Sequence, residues 1–179
     1  MSEQTSSHQA YGCLFCMSGT EEIISRMVHY KHPEVRICPA TYDRFRFRKG
    51  MKTQHTAIFM PGYVFYQAEP DIMLPYDFPR DRGFRMLRDE SGDWRLRGRD
   101  RKFVQWLFQQ DCHLKVSEAY MENDQVRIRS GPMKDLEGSI EKIDRSRRCG
   151  LTRIEFHGKV FRIWLSFDLL TGKDEAGDA

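Results

Sequence analysis

Two clusters of basic residues carry the side chains of this sequence best suited to chemistry, and that chemistry is contact with phosphate. Arginine presents a planar fork of donors that matches phosphate oxygens and the edges of bases. In the first cluster arginine alternates with phenylalanine, and the candidate binding residues are Arg44, Arg46, Arg48, Lys49 and Lys52. The candidates of the second cluster are Arg95, Arg97, Arg99, Arg101 and Lys102. The alternative for each residue is a solvated, salt-bridged surface position.

Other kinds of reactive site find little support in the sequence. The six histidines show no metal-ligand spacing, and there is neither a glycine-rich phosphate loop nor a serine nucleophile elbow. Cys13 and Cys16 lie in a predicted strand, where positions three apart point to opposite faces, so we expect two core side chains rather than a zinc or redox pair. We therefore expect a protein that is not an enzyme and needs no metal or cofactor.

Cysteine number and hydropathy indicate the expected compartment. Five cysteines at irregular spacing argue against a disulfide framework and for a reducing environment. No stretch approaches the roughly 20 apolar residues of a membrane span, and the first residues lack the pattern of a secretion signal. We expect a cytoplasmic monomer that does not bind membranes.

Length and charge suggest how the chain is organised. The 179 residues fit one ordinary domain or two small ones, and the formal net charge is +3. The positive excess lies within residues 1–110, whereas residues 121–179 are neutral overall. Any primary nucleic-acid surface is therefore expected in the first part of the chain.

The first 110 residues predict strands that alternate with helices. Ser18 and Glu21 have the spacing of a capping box for a helix that ends at His32, and Asp100 is placed to cap a second helix over 101–110. Residues 70–83 contain three prolines and allow at most a short helical turn. The predicted strands are 11–17, 35–40 and 59–67, with hairpins over 41–56 and 83–96. The pattern predicts an α+β domain over 10–110, with helices packed on a mostly antiparallel sheet.

The pattern changes after residue 110. Residues 111–120 show no clear period and are predicted to be a linker. Short strands are then predicted at 125–129, 138–143, 149–156 and 160–166. Four or five short strands in about 50 residues are typical of a small SH3-like barrel, here expected over 121–172.

Two motifs in these regions resemble a known family. The segment FMPGYVF at 59–65 resembles the N-terminal (NGN) domain of the NusG family of transcription elongation factors. The segment VRIRSGPMKDLEGSIEKID at 126–144 resembles the KOW motif that follows that domain in the family. The resemblance implies an NGN-like antiparallel sheet flanked by helices, followed by an all-β SH3-like KOW barrel.

The resemblance also implies partners. The N-terminal domain of the family binds the clamp helices of bacterial RNA polymerase. Tyr63 and Phe65 match the family's polymerase-facing aromatic residues, and Phe59 and Phe103 are weaker candidates for the same patch. The KOW domain binds ribosomal protein S10 or the termination factor Rho, and Phe156 matches a contact position there. The alternative is that these rings fill the core.

Within the family, the arginine content makes the chain more similar to the specialised paralogues RfaH and LoaP, and to LoaP in particular. That resemblance implies an antitermination factor recruited by an RNA hairpin in the leader of specific long operons, with the two basic clusters as candidate RNA-binding surfaces. The alternative is a general elongation factor without RNA specificity.

Overall fold

The computed structural model describes residues 9–69, 74 and 83–170 of the chain. Within these residues the fold is mixed α+β, as predicted, with the helices α1 (Glu21–Lys31), α2 (Gly98–Gln109) and α3 (Pro132–Asp135). The strands are β1 (Ala10–Cys16), β2 (Arg36–Pro39), β3 (Thr41–Arg48), β4 (Met51–Ile58), β5 (Tyr63–Ala68), β6 (Phe84–Met86), β7 (His113–Leu114), β8 (Ser117–Glu122), β9 (Gln125–Ser130), β10 (Ile140–Asp144), β11 (Cys149–Phe156) and β12 (Lys159–Leu169). The predicted proline-rich segment 70–83 lies outside the described residues, apart from Leu74 and Gly83.

The chain forms two compact units, and they divide it differently from the predicted domains. The first unit contains the described residues up to 40 and those from 58 to 112, and the second contains 41–57 and the described residues from 113 onward. The basic hairpin therefore belongs with the C-terminal strands, whereas the sequence analysis placed it within 10–110. The reason is long-range pairing: the start of β3 runs parallel to β7, with Thr41 opposite His113.

A four-stranded sheet forms the centre of the first unit. Its order is β2-β5-β1-β6, and all neighbours are antiparallel. Leu14 and Val64 belong to one core with Ile24 and Val28 of α1. Both central strands are buried along nearly their whole length because helices cover both faces, which explains their continuous apolar sequences.

The opposite face of this sheet packs against α2. The ring of Tyr11 on β1 lies 6.0 Å from that of Phe108 on α2, measured between centroids. On the α1 side, Gly12 lies opposite Tyr66, and a Cβ at Gly12 would overlap the tyrosine ring. The absence of a side chain there allows Tyr66 to stack on Trp94, with centroids 5.6 Å apart.

A buried carboxylate joins the start of α1 to the turn before β5. Glu21 is only 2% exposed. Its two oxygens accept hydrogen bonds from the backbone N–H groups of Gly19 and Gly62, each at 2.7 Å. The predicted capping box is thus half right, because Glu21 does accept a backbone amide, but Thr20 rather than Ser18 is the N-cap residue.

The second unit contains a five-stranded sheet in the order β10-β11-β12-β8-β9 and a three-stranded sheet in the order β4-β3-β7. The four predicted C-terminal strands are confirmed as β9 to β12. The predicted linker 111–120 is wrong, because β7 and the start of β8 lie within it. Both strands pair with residues far away in the chain, which a local hydrophobic period cannot reveal.

Two smaller predictions also need correction. The helix α2 begins at Gly98 with Arg97 as its N-cap residue, so Asp100 lies inside the first turn. The segment 83–96 is not a hairpin, since only β6 is a strand and it pairs with β1. The predicted turn does form, because Asp89 Oδ1 accepts the N–H groups of Ser91 and Asp93, each at 2.9 Å.

The cysteines behave in two ways. Cys38 and Cys112 form a disulfide, although the sequence analysis argued against a disulfide framework; their Cα atoms are 6.6 Å apart while 74 positions separate them in the chain, a proximity that cysteine spacing does not reveal. Cys13, Cys16 and Cys149 are buried and not bonded to one another. Burial raises the pKa of each of these three thiols, so they remain protonated and poorly nucleophilic.

Replacing Glu21 tests its role in joining the start of α1 to the turn before β5. We expect Glu21→Ala to lower the free energy of unfolding of this unit by about 2–4 kcal/mol, because two backbone amides lose a charged acceptor. Urea unfolding can be followed by the fluorescence of Trp94 and Trp106 in a Trp164→Phe background. The neighbouring exposed Glu22→Ala serves as the control, and equal destabilisation by both changes would refute the role of Glu21.

The disulfide yields a second prediction. Closing a loop of this length stabilises a fold by up to about 4 kcal/mol in the chain-entropy description. We therefore expect dithiothreitol to lower the urea midpoint of the first unit. The double variant Cys38→Ser/Cys112→Ser should not respond to the reductant, whereas Cys149→Ser should respond as the native chain does. An unchanged midpoint of the native chain on reduction would contradict this prediction.

Candidate nucleic-acid interface

A tight two-residue turn shapes the basic arm, which is the hairpin of β3 and β4. The turn residues Lys49 and Gly50 both have positive φ, +50° and +76°. Such values are typical of a type I′ turn, whose twist matches that of the two strands, and they place Arg48 opposite Met51. The hairpin predicted over 41–56 is confirmed. Side chains along each strand therefore alternate between two faces.

Contacts within the arm identify one of these faces, called here the anchoring face. The carboxylate of Asp43 accepts hydrogen bonds from Gln54 Nε2 at 2.9 Å and from Thr56 Oγ1 at 2.7 Å. The ring centroids of Phe45 and Phe47 are 6.3 Å apart. Because these residues share one face, the residues between them belong to the other.

The other face, called here the basic face, carries Arg44, Arg46 and Arg48. Arg46 and Arg48 are exposed, and Arg44 is half-buried. Thr53 donates a hydrogen bond to the carbonyl oxygen of Arg46 at 3.2 Å and shares another with His55 at 2.9 Å. Among the residues that the structure describes, no carboxylate forms an ion pair with the three arginines. Their guanidinium donors are therefore available to an anionic ligand.

Lys52 lies on the anchoring face and is already engaged. Its ammonium group donates to both oxygens of Asp168, at 3.1 and 3.0 Å, and lies 4.4 Å from the centroid of the Phe45 ring. Arg148 Nη1 donates to the same carboxylate at 2.6 Å. The structure thus separates Lys52 from the other basic residues of the first cluster and assigns it to the attachment of the arm to β12.

Backbone and histidine contacts complete this attachment. The N–H of Phe45 donates to Ser166 Oγ at 2.9 Å. At the base of the arm, the imidazole of His113 forms hydrogen bonds with Thr41 Oγ1 at 2.9 Å and with Asp43 Oδ2 at 3.1 Å. Both ring nitrogens of His113 therefore help to fix the start of β3 within the second unit. Sequence analysis missed this contribution, although Asp43 is the one acidic residue within the basic segment 41–57.

The second basic cluster belongs to the first unit and does not form one continuous face. Arg97 Nη2 donates to Asp93 at 2.6 Å, and the carbon at the centre of the Arg95 guanidinium lies 5.4 Å from the Trp94 ring. Hydrogen bonds to its carboxylate lower the pKa of Asp93; the larger effect comes from the N–H of Arg95 and the smaller from the Arg97 side chain. These contacts indicate that Arg95 and Arg97 stabilise the segment that precedes α2.

The rest of the second cluster lies on α2. Arg101 is half-buried, with its guanidinium carbon 5.9 Å from the centroid of the Tyr11 ring. Arg99 also has interaction partners, and Lys102 is exposed. The cluster is therefore a weaker candidate for an anion-binding surface than the basic face.

Burial corrects the expectation that an exposed aromatic patch follows the Pro-Gly turn. Phe59, Tyr63 and Phe65 are 2%, 4% and 0% exposed. Phe59 and Phe65 pack on Phe103, with centroids 6.5 and 6.3 Å apart, and Tyr63 meets the edge of Phe15 at 5.3 Å. The reason is that β5 is a central strand of the sheet. Only Phe103 among the predicted polymerase-binding residues stays half-buried.

Phe156, the predicted contact of the C-terminal part, is also buried. It is 0% exposed at the end of β11, in the alternation that also buries Thr152 and Ile154. The structure therefore favours the alternative of a core ring beside the turn at His157 and Gly158.

The described residues contain neither a helix that could span a membrane nor a cluster that could hold a metal ion. No described helix combines the length and the apolar character that crossing a bilayer requires. In the same residues no group of three His, Cys, Asp or Glu side chains is arranged to hold a metal ion.

Comparison with known proteins adds no family to this description. None of the protein-family models matches the chain, and a search of curated proteins finds no match either.

The contacts of Asp43 predict how the arm responds to mutation. The arm contains five trypsin sites, and we expect Asp43→Ala to increase the rate of cleavage there several-fold, because Gln54, Thr56 and His113 lose their common acceptor. Limited proteolysis with mass spectrometry of the fragments measures this rate. Glu90→Ala, an exposed substitution in the first unit, is the control. Equal cleavage of Asp43→Ala and the native chain would contradict the prediction.

Proposed function

We propose that this chain is a NusG-like transcription factor whose basic arm binds an RNA hairpin. One observation carries the proposal: Arg44, Arg46 and Arg48 share one face of a two-stranded arm, and no carboxylate of the described residues neutralises them. An ordinary surface would pair many such arginines with acids, as Arg97 is paired with Asp93 here.

The spacing of the basic face suits a phosphate backbone. Alternate residues of a strand are about 6.6 Å apart, so three guanidinium groups form a row about 13 Å long. Each can donate two hydrogen bonds to a phosphate or to the edge of an unpaired base. Binding of this kind releases counterions, and the affinity falls steeply as salt is added.

Docking to the clamp helices of bacterial RNA polymerase is the second part of the proposal. It is supported by the likeness of the segment 59–65 to the NusG family rather than by exposed rings at 59, 63 and 65. The half-buried rings of Phe103 and Trp106, with centroids 6.0 Å apart on α2, offer an apolar surface for a partner helix. Phe59 and Phe65 then act by supporting Phe103 from below.

The remaining parts of the proposal follow from the same likeness. The five-stranded sheet is proposed to be the KOW barrel, with ribosomal protein S10 or Rho as its proposed partner. Because Phe156 is buried, such a partner would meet other side chains of this unit. An antitermination factor of this kind acts as a monomer in the cytoplasm, on long operons whose leader encodes the hairpin.

The double variant Arg44→Ala/Arg46→Ala tests the proposal. In filter binding to a pool of RNA stem-loops, we expect its affinity to fall about tenfold or more and its salt slope to fall by about one per lost phosphate contact. Arg26→Ala/Arg129→Ala removes the same charge elsewhere and should change the affinity less than twofold. Retention on immobilised RNA polymerase should not change in either variant.

Different results would favour other readings of the chain. Equal losses in both double variants would mean that only the net charge attracts RNA. Unchanged affinity of Arg44→Ala/Arg46→Ala would reject the basic face as the RNA-binding surface. RNA binding without preference for any member of the pool, with polymerase binding retained, would favour a general elongation factor.

A further inference from the structure

The tip of the basic arm exposes two apolar side chains that the proposed phosphate contacts do not use. Phe47 is 42% exposed and Met51 is 67% exposed. They flank the Lys49-Gly50 turn at the ends of β3 and β4. The tip of the arm therefore exposes two large apolar side chains beside the exposed cations Arg48 and Lys49.

The two side chains point to opposite faces of the arm. Phe47 alternates with Phe45 and shares its ring contact, so it lies on the anchoring face. Gln54 contacts Asp43 on that same face, and Met51 is an odd number of positions from Gln54 along β4. Met51 therefore lies on the basic face, next to Arg48. The tip thus offers apolar surface on both sides and positive charge between them.

Anchoring does not account for the exposed ring. The cation of Lys52 covers the Phe45 ring, and Phe45 also donates its N–H to Ser166. Phe47 lies two residues nearer the turn than Phe45 and contacts the Phe45 ring. The Phe47 ring is 42% exposed and accessible to a ligand, whereas the Phe45 ring is half-buried under the Lys52 cation.

We propose, on the basis of the proposed function, that the arm recognises an RNA loop whose unpaired bases surround its tip. In a continuous RNA duplex the major groove is too deep and narrow for side chains to read the bases. An unpaired loop can pass around the turn, so that its phosphates meet Arg48 and Lys49 while its bases stack on Phe47 and contact Met51. Unpaired bases are also the part of RNA that proteins read by stacking on aromatic rings.

The experiment compares two RNA probes on the full-length chain. The first is a pool of stem-loops with a fixed stem and a randomised loop, and the second is a continuous duplex of the same stem. We expect Phe47→Ala to weaken binding of the stem-loop pool about tenfold, the effect of losing one stacked base, and to leave duplex binding within twofold. Phe47→Tyr should restore stem-loop binding because it keeps the ring.

Two controls separate the failure of this inference from failure of the proposed function. Tyr30→Ala removes an 89% exposed ring from α1 and should change neither probe. Arg44→Ala/Arg46→Ala should weaken both probes. If that double variant loses affinity while Phe47→Ala binds stem-loops normally, the inference is overturned and the proposed function stands.

Two further outcomes also overturn the inference. Equal weakening of stem-loop and duplex binding by Phe47→Ala would mean that the ring only supports the arm. If Arg44→Ala/Arg46→Ala bound both probes with unchanged affinity, the proposed function would be refuted. The recognition of a loop by this arm would then be refuted as well.

Discussion

The alternation of side chains along β3 is the constraint on which the proposed interface depends. A period of two places Asp43, Phe45 and Phe47 on one face of the arm and the arginines between them on the other. Contacts of Asp43 and Phe45 with the rest of the second unit therefore hold the arm without using the arginines. A shift of one residue in register would exchange the two faces and turn the arginines toward the anchoring contacts, and the type I′ turn opposes that shift.

Aromatic residues of the first unit illustrate how one sequence pattern fits two roles. A run such as Tyr63–Tyr66 suits a binding hot spot, and it equally suits a central strand covered by helices on both faces. In this fold the second role applies to Phe65, since it packs under Phe103. The outermost ring of such a stack remains the one that a partner can reach. The proposed apolar docking by this unit therefore involves α2, which covers the strand, rather than the strand itself.

Much of the fold could be predicted from local pattern, and the errors share one physical cause. Helix α1, the hairpin arm and the strands β9 to β12 follow from period, turns and breakers within a few residues of each other. The pairing of β7 with β3 and the Cys38–Cys112 bond join residues more than 70 positions apart, which no local pattern encodes. The candidate site shows the same division, because the alternation predicts the basic face, whereas the Lys52–Asp168 pair depends on tertiary contacts.

The two basic clusters differ in what a ligand must displace, and that difference favours the arm. An anion that binds Arg97 must compete with Asp93, whose pKa is lowered by the same group of contacts. An anion that binds Arg46 has no carboxylate of the described residues to displace. Individual surface ion pairs are weak, about 1 kcal/mol or less. Several such pairs in one basic cluster together reduce the affinity of that cluster for an anionic ligand. Charge that is unpaired, aligned and held by a rigid base is therefore a better predictor of phosphate binding than the number of arginines.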